Sequence, residues 1–374
     1  MSQTIDQLAR ANIVPIRPYV PGKPVGEVMR EYGVDHVVKL ASNESSVLPS
    51  PAALAAMLDA VRDTRMYPEY DSYDLRHALA AHWGLSNERF GVFNGVAEAL
   101  PLLAEAFLEP GDEVVFGWPS FSTYVLMTKL TGAVARPVPL QDFTFDLDGM
   151  GAAVTSRTKM VIVCNPNNPT GTIVTGDALN DFVKRLPEHV VVLIDEAYSE
   201  YVDDPAFPDC LDLLGISDRV VVMRTFSKAY ALAALRIGYV MADPAIIALL
   251  DKVRQPFNVS AVAQAAAEAA LGDQQHLART RRTVAEGREK LRKALVEMGL
   301  QCVPTSANFI LVDTGTDSAW VSEQLLQRGV AVRPGYQLDF PTHLRVTVGT
   351  EAEIAVFLQA LREVLSLGRV SADA

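Results

Sequence analysis

The chain has few cysteines, no excess of positive charge and no long apolar run. Its three cysteines, Cys164, Cys210 and Cys302, are odd in number and far apart. No Cys-x-x-Cys pair occurs, so neither a disulfide framework nor a zinc site is expected, and a reducing compartment fits. A formal net charge of −12 argues against non-specific attraction to nucleic acid or to an anionic membrane surface. The most basic stretch, ARTRRTVAEGREKLRKAL (278–295), interleaves glutamates with its arginines and spaces its apolar residues as a helix does. It predicts a solvated helix rather than a nucleic-acid patch. No stretch approaches the roughly 18 apolar residues of a membrane span. The N-terminus, MSQTIDQLARANIV, lacks a basic region followed by an apolar block. The expectation is a cytoplasmic protein acting on small molecules, with no nucleic-acid or membrane partner and no metal.

What is present is an ordinary globular composition over 374 residues, enough for a large core and two lobes. Short runs rich in Val and Ile (DEVVFGW, KMVIVCN, VVVLIDEAY, RVVVMRT and IGYVMA) alternate with alanine-rich helical patterns. Runs of this kind, without polar alternation, suit a mainly parallel sheet covered on both faces, hence an α/β domain. After Pro256 a long helical stretch at 260–299 leads into NFILVD, VAVRPG and HLRVTVG, and a last amphipathic helix begins near Glu351. That order predicts a smaller α+β lobe. The expected division is an N-terminal arm with part of the small domain over 1–45, a large domain over 46–260 and a small C-terminal domain over 261–374. The proline-rich RPYVPGKP (17–24) is expected to run extended against the small lobe or another subunit.

Four polar features fall at the ends of predicted strands or in the loops after them, where open α/β sheets bind ligands. In FNGVAEALPLLAEAF a glycine loop enters a helix whose first N–H groups suit a phosphate. CNPNNPTG (164–171) ends the strand KMVIVC, with asparagine side chains at the sheet edge as donors. In VVVLIDEAYSEY the apolar run meets Asp195 and Glu196, carboxylates that need a partner at a strand end. Thr225, Ser227, Lys228 and Arg236 gather hydroxyls, an amine and a guanidinium. A lysine so placed can act as a nucleophile or Schiff-base former. Singly these read as a turn, a helix cap or a lysine reaching to the surface. In order along one chain they supply a phosphate seat, a donor to a phenolate oxygen, an anion for a ring nitrogen and an amine for an aldehyde, which are the needs of pyridoxal phosphate.

With RPYVPGK, KLASNE, MYPEY, CNPNNPTG, DEAYSEY, RTFSKAYALAALRIGY, PFNVS, SANFILV, VAVRPG and LRVTVGT spread over residues 17–350, the chain resembles the fold-type I aminotransferases, and most closely the histidinol-phosphate aminotransferase family with its aromatic branch. The resemblance implies a mainly parallel seven-stranded sheet between helices plus a smaller α+β domain, bound pyridoxal 5′-phosphate, and a homodimer with shared sites. It assigns Lys228 to the cofactor aldehyde and to the later proton transfer, and Asp195 to the ring nitrogen. Asn168 and Tyr198 go to the ring oxygen, and Phe121 is to stack on the ring. Thr225, Ser227, Arg236 and the backbone at Val96 and Ala97 hold the phosphate, with Tyr67 entering from the neighbouring subunit. Arg345 is matched to the donor's carboxylate and Arg333 to the substrate's distal anionic end, with Tyr19 and Asn308 also near the substrate.

The chain departs from the family at two places. NESSVLPSP follows KLAS where NENP-x-G is usual, and the phosphate loop reads GVAEA instead of G-S/A-D-E. These departures, with GDEVVFGWPSF, also resemble the branch acting on phenylalanine and other aromatic amino acids. The resemblance therefore leaves open histidinol phosphate with 2-oxoglutarate, an aromatic aminotransferase, and a decarboxylase of phosphorylated threonine on the same scaffold. A cofactor-binding regulator would need an added DNA-binding domain, for which the short N-terminal arm is expected to leave no room.

Overall fold

Twelve strands fall into two sheets in the structure, a computed structural model that describes residues 5–16, 18 and 22–372. In chain order the strands are β1 (Val38–Leu40), β2 (Phe90–Phe93), β3 (Glu113–Trp118), β4 (Val134–Pro139), β5 (Thr158–Cys164) and β6 (Val191–Asp195). They continue with β7 (Val220–Thr225), β8 (Gly238–Met241), β9 (Gln301–Cys302), β10 (Phe309–Asp313), β11 (Val330–Pro334) and β12 (His343–Thr347).

The larger sheet has the order β2-β8-β7-β6-β5-β3-β4. Six of its strands are parallel and β8 alone runs against its neighbours β2 and β7. Residues of β5 and β6 are buried on both faces almost throughout, as the unbroken Val/Ile runs require. All five strands expected from the sequence form. The other two, FGVF and VARPVP, carry little strand signal: β2 is only four residues long, and β4 is a mostly exposed edge strand with two prolines, the position where a sheet tolerates proline.

The smaller sheet has the order β1-β11-β12-β10-β9. The N-terminal strand β1 pairs in parallel with β11, so residues early in the chain complete a sheet otherwise made by its last third. The helical stretch at 260–299 is two helices, Ala261–Gly272 and Gln274–Glu297, joined at Asp273. Ser260 caps the first, its hydroxyl accepting from Ala263 N, and Asp273 caps the second by accepting from His276 N. The first packs on the helices Pro51–Ala60 and Tyr73–Trp83. The last helix spans Glu351–Ala372. No helix among the described residues is long and apolar enough to cross a membrane.

β2, β3, β5, β6 and β7 all end at one edge of the larger sheet. Their following loops, with the loop after β1 and strands β11 and β12, enclose the site described next.

Candidate active site

A cavity of about 570 Å³ opens between the two sheets, a size suited to a cofactor with a small substrate. At its floor β6 ends in Asp195, which is buried. Its Oδ2 accepts from Tyr124 OH at 2.7 Å and its Oδ1 from Ala197 N at 3.1 Å. Burial pushes this carboxyl's pKa up, while the Tyr124 bond, the Ala197 amide and the charge of Lys228 oppose the rise. Two donors leave a carboxylate with further acceptor capacity, directed here at the cavity.

The next residue, Glu196, takes the opposite face, as alternation along a strand demands. Its Oε2 accepts from Arg224 Nε at 2.9 Å and Nη2 at 2.5 Å. The Arg224 guanidinium also lies 4.6 Å from the Trp83 ring and 3.5 Å from Glu200. In β7 the same alternation sends Thr225 to the cavity and Arg224 behind the sheet. A buried ion pair thus backs the strand ends that carry the site.

Lys228, after β7, is half-buried and lines the cavity. Its Nζ donates to Asn43 O at 3.0 Å and Ser42 O at 3.3 Å. Burial, then the guanidinium groups of Arg345 and Arg236, lower its pKa to about 7. Neutral amine is therefore present near neutral pH, as an amine that attacks a carbonyl must be.

One end of the cavity is built for an anion. The helix Val96–Phe107 begins there, preceded by Gly95 at φ +73°. A Cβ on Gly95 would sit 3.0 Å from Arg236 Nη2, so glycine allows the guanidinium to close on the helix N-terminus. Thr225 Oγ1 and Ser227 Oγ lie 2.9 Å apart, and Arg236 Nη1 donates to Ser227 Oγ at 3.3 Å. Two hydroxyls, a guanidinium and the amides of Val96 and Ala97 converge, the arrangement in which helix N-termini take phosphate. Glu98 braces this turn: its Oε2 accepts from Asn94 N at 2.5 Å and Asn258 Nδ2 at 2.9 Å.

The asparagines after β5 divide their work. Asn165 bonds Val174 at both ends of its amide, and Asn167 bonds Ser120, Pro119 and Thr170, so both shape the loop. Asn168 alone of the three lines the cavity, with its Oδ1 accepting from Arg345 Nη1. Arg345 in β12 and Arg333 in β11 are register partners, and both reach the cavity. Tyr198 and Phe121 line it as well. Tyr198 sits edge-on to Phe309 at 5.2 Å, and burial pushes its pKa up to about 12.

The structure thus gathers twelve of the residues named from the sequence around one cavity: Lys228, Asp195 and Tyr198 near its centre, Val96, Ala97, Thr225, Ser227 and Arg236 at the anion end, and Phe121, Asn168, Arg333 and Arg345 on the remaining walls. Asn308 is not on that wall. It is buried behind it, its Nδ2 donating to Asn43 O at 3.2 Å and Glu44 O at 3.4 Å. Tyr67 is 82 % exposed on the outer surface, stacked on Phe257 at 4.8 Å. Tyr19 lies outside the described residues. Tyr124 and Asn43 received no role in the sequence reading, although GWPSFSTY and KLASNE contain them. The available signal was a tyrosine one helical turn from Phe121 and a polar residue directly after a short buried strand.

The family model for aminotransferase class I and II matches residues 35–361. The chain belongs to that family. It is 48 % identical to a histidinol-phosphate aminotransferase of Moorella thermoacetica, over 96 % of this chain and 93 % of the other. It is 44 % identical to histidinol-phosphate aminotransferase 2 of Pseudomonas fluorescens, over 98 % and 100 % respectively. Among solved structures, the histidinol-phosphate aminotransferase of Sinorhizobium meliloti in complex with pyridoxal-5′-phosphate superposes with a TM-score of 0.88 at 30 % identity, covering 95 % of this chain and 97 % of that one. A Thermus thermophilus aspartate aminotransferase mutant gives 0.84 at 25 % identity, over 95 % and 99 %. The chain is an aminotransferase with the α/β fold-type I architecture.

Proposed function

We propose that the chain binds pyridoxal 5′-phosphate and transfers the amino group of histidinol phosphate to 2-oxoglutarate, a step of histidine biosynthesis. The observation that carries this reading is one cavity faced by the Lys228 amine, the buried Asp195 carboxylate and the Arg236 anion seat. The residues fit the cofactor: Asp195 keeps acceptor capacity toward the cavity, and the turn at Gly95 leaves room for Arg236 beside a helix N-terminus.

When bound, pyridoxal phosphate supplies an aldehyde for amine exchange and a ring that withdraws electrons from the reacting carbon. The chain supplies the rest. Lys228, with its lowered pKa, offers a neutral amine as nucleophile and afterwards as the base that carries a proton at the substrate carbon. Asp195 holds a protonated ring nitrogen by charge. Asn168 and Tyr198 offer donors on the opposite wall. Arg345 and Arg333 place two guanidinium groups for the anionic part of each substrate: a carboxylate of 2-oxoglutarate or the phosphate of histidinol phosphate.

A homodimer belongs to this reading. Tyr67 and Tyr70 pack on Phe257 and all three are exposed, an apolar cluster of the kind a second copy covers, and Tyr67 would enter the partner's site from it. Cytoplasmic location is expected with it.

A half-reaction panel tests the substrate. Histidinol phosphate, phenylalanine, tyrosine, glutamate and aspartate are each added to cofactor-loaded protein and the absorbance change is timed. Histidinol phosphate should react fastest and yield imidazole acetol phosphate. Faster conversion of phenylalanine would favour the aromatic enzyme, and carbon dioxide release without amino transfer the decarboxylase.

A further inference from the structure

Asn43, in the loop after β1, is 1 % exposed and has φ +54°, a backbone state that asparagine tolerates better than most residues. It is tied at every polar atom. Its backbone N donates to Thr347 Oγ1 at 2.9 Å, and its carbonyl accepts from Lys228 Nζ at 3.0 Å and Asn308 Nδ2 at 3.2 Å. Its amide Oδ1 accepts from Thr347 Oγ1 at 3.2 Å, and its Nδ2 donates to Tyr198 OH at 3.0 Å.

The orientation of that amide decides where a proton points. Thr347 Oγ1 already accepts from Asn43 N, and its own hydrogen goes to Asn43 Oδ1. Turning the amide over would make Thr347 Oγ1 accept from both Asn43 N and Asn43 Nδ2 and would take away the acceptor that its own hydrogen has in Asn43 Oδ1. With Oδ1 thus committed, Nδ2 must face Tyr198, whose phenol oxygen becomes an acceptor on that side. The Tyr198 hydrogen is then directed away from Asn43, toward the cavity that Tyr198 lines.

We propose that Asn43 is a positioning residue: anchored by Thr347, it orients the Tyr198 hydroxyl as a donor into the cavity, and so strengthens the hydrogen bond that Tyr198 makes to an anionic ligand oxygen. The inference rests on the pyridoxal phosphate reading above, in which that oxygen is the phenolate of the cofactor ring. A donor aimed at the phenolate stabilises its charge and makes the neighbouring nitrogen easier to deprotonate.

The test is a spectrophotometric pH titration of the bound cofactor in holoenzyme, together with its dissociation constant. Asn43→Gly keeps the backbone conformation and removes the amide. Asn43→Asp replaces the donor by an acceptor of the same shape, drawing the Tyr198 hydrogen away from the cavity. Both should raise the titration midpoint, Asn43→Asp by about one pH unit, and both should weaken cofactor binding several-fold. In a Tyr198→Phe background the shift from Asn43→Gly should vanish and that from Asn43→Asp should fall to the small remainder due to charge. Equal shifts with and without the tyrosine hydroxyl, or no shift in either, would overturn the proposal, with thermal melting confirming that each variant is folded. If the unsubstituted protein takes up no pyridoxal phosphate, the underlying reading fails instead, and this inference with it.

Discussion

Arg345 Nη1 donates to Asn168 Oδ1 at 2.5 Å, a bond reaching from β12 of the smaller sheet to the loop after β5 of the larger one. Arg345 Nη2 also donates to Ala41 O at 2.8 Å. The guanidinium is therefore fixed in direction before a substrate arrives, and the Asn168 amide presents its N–H2 end to an acceptor.

Arg345→Lys should remove that fixing while keeping the charge. A lysine has one ammonium and no fork, so it cannot serve Asn168, Ala41 and an anion together. The expected loss in kcat/KM is about 10²-fold, or about 3 kcal/mol, felt mostly in KM. Steady-state kinetics measure it, and cofactor affinity should stay within a few-fold because the anion seat at Arg236 is elsewhere.

Tyr124→Phe should make Asp195 easier to protonate. Burial already raises this carboxyl's pKa and the Tyr124 hydrogen bond restrains the rise. Without the hydroxyl the pKa goes higher, so the active anion is lost at a higher pH than in the parent. The acid limb of the kcat/KM profile should move upward, with a cost of about 1–3 kcal/mol in transition-state stabilisation near that limb.

In cofactor-free protein, Lys228 should react with an acylating reagent far faster than surface lysines at neutral pH. Its pKa is lowered to about 7, so about half is neutral there, against roughly a thousandth of an ordinary lysine with pKa near 10.4. Since the Arg345 charge helps to lower it, Arg345→Gln should raise the midpoint of labelling against pH. Competitive labelling read by mass spectrometry reports both.

Gly171→Ala should both destabilise the fold and slow the reaction. Gly171 has φ +77°, and a Cβ there would lie 1.8 Å from Thr305 Oγ1 and 3.2 Å from Thr305 Cα. Rotation of a side chain cannot relieve the backbone contact, and Ser306 N donates to Gly171 O at 2.8 Å, so the segments are tied together. A loss of about 2–4 kcal/mol is expected in urea unfolding, with reduced kcat because Asn168 sits in the displaced loop.

The parts legible in the sequence were those written locally. KMVIVC, VVVLID and RVVVMRT announce buried strands through β-branched runs, and Asp195, Thr225 and Lys228 stand out because polar groups at the ends of such runs are costly without a purpose. The parallel pairing of β1 with β11 was not legible, since its partners are some 290 positions apart and three residues carry little pattern. Tyr124 and Asn43 were missed for a related reason. Their importance lies in which atoms face Asp195 and Tyr198 after folding, and no spacing within GWPSFSTY or KLASNE encodes that. Asn308 shows the converse: the motif SANFILV marks it, yet its amide supports the Asn43 loop from behind the cavity wall.

The Glu196–Arg224 pair has a consequence for how the sheet assembles. Both partners are consecutive with cavity residues, Asp195 and Thr225, on neighbouring strands. Because successive side chains face opposite sides of a strand, a one-residue slip of β6 would turn the Glu196 carboxylate away from the Arg224 guanidinium and leave a buried charge without its partner.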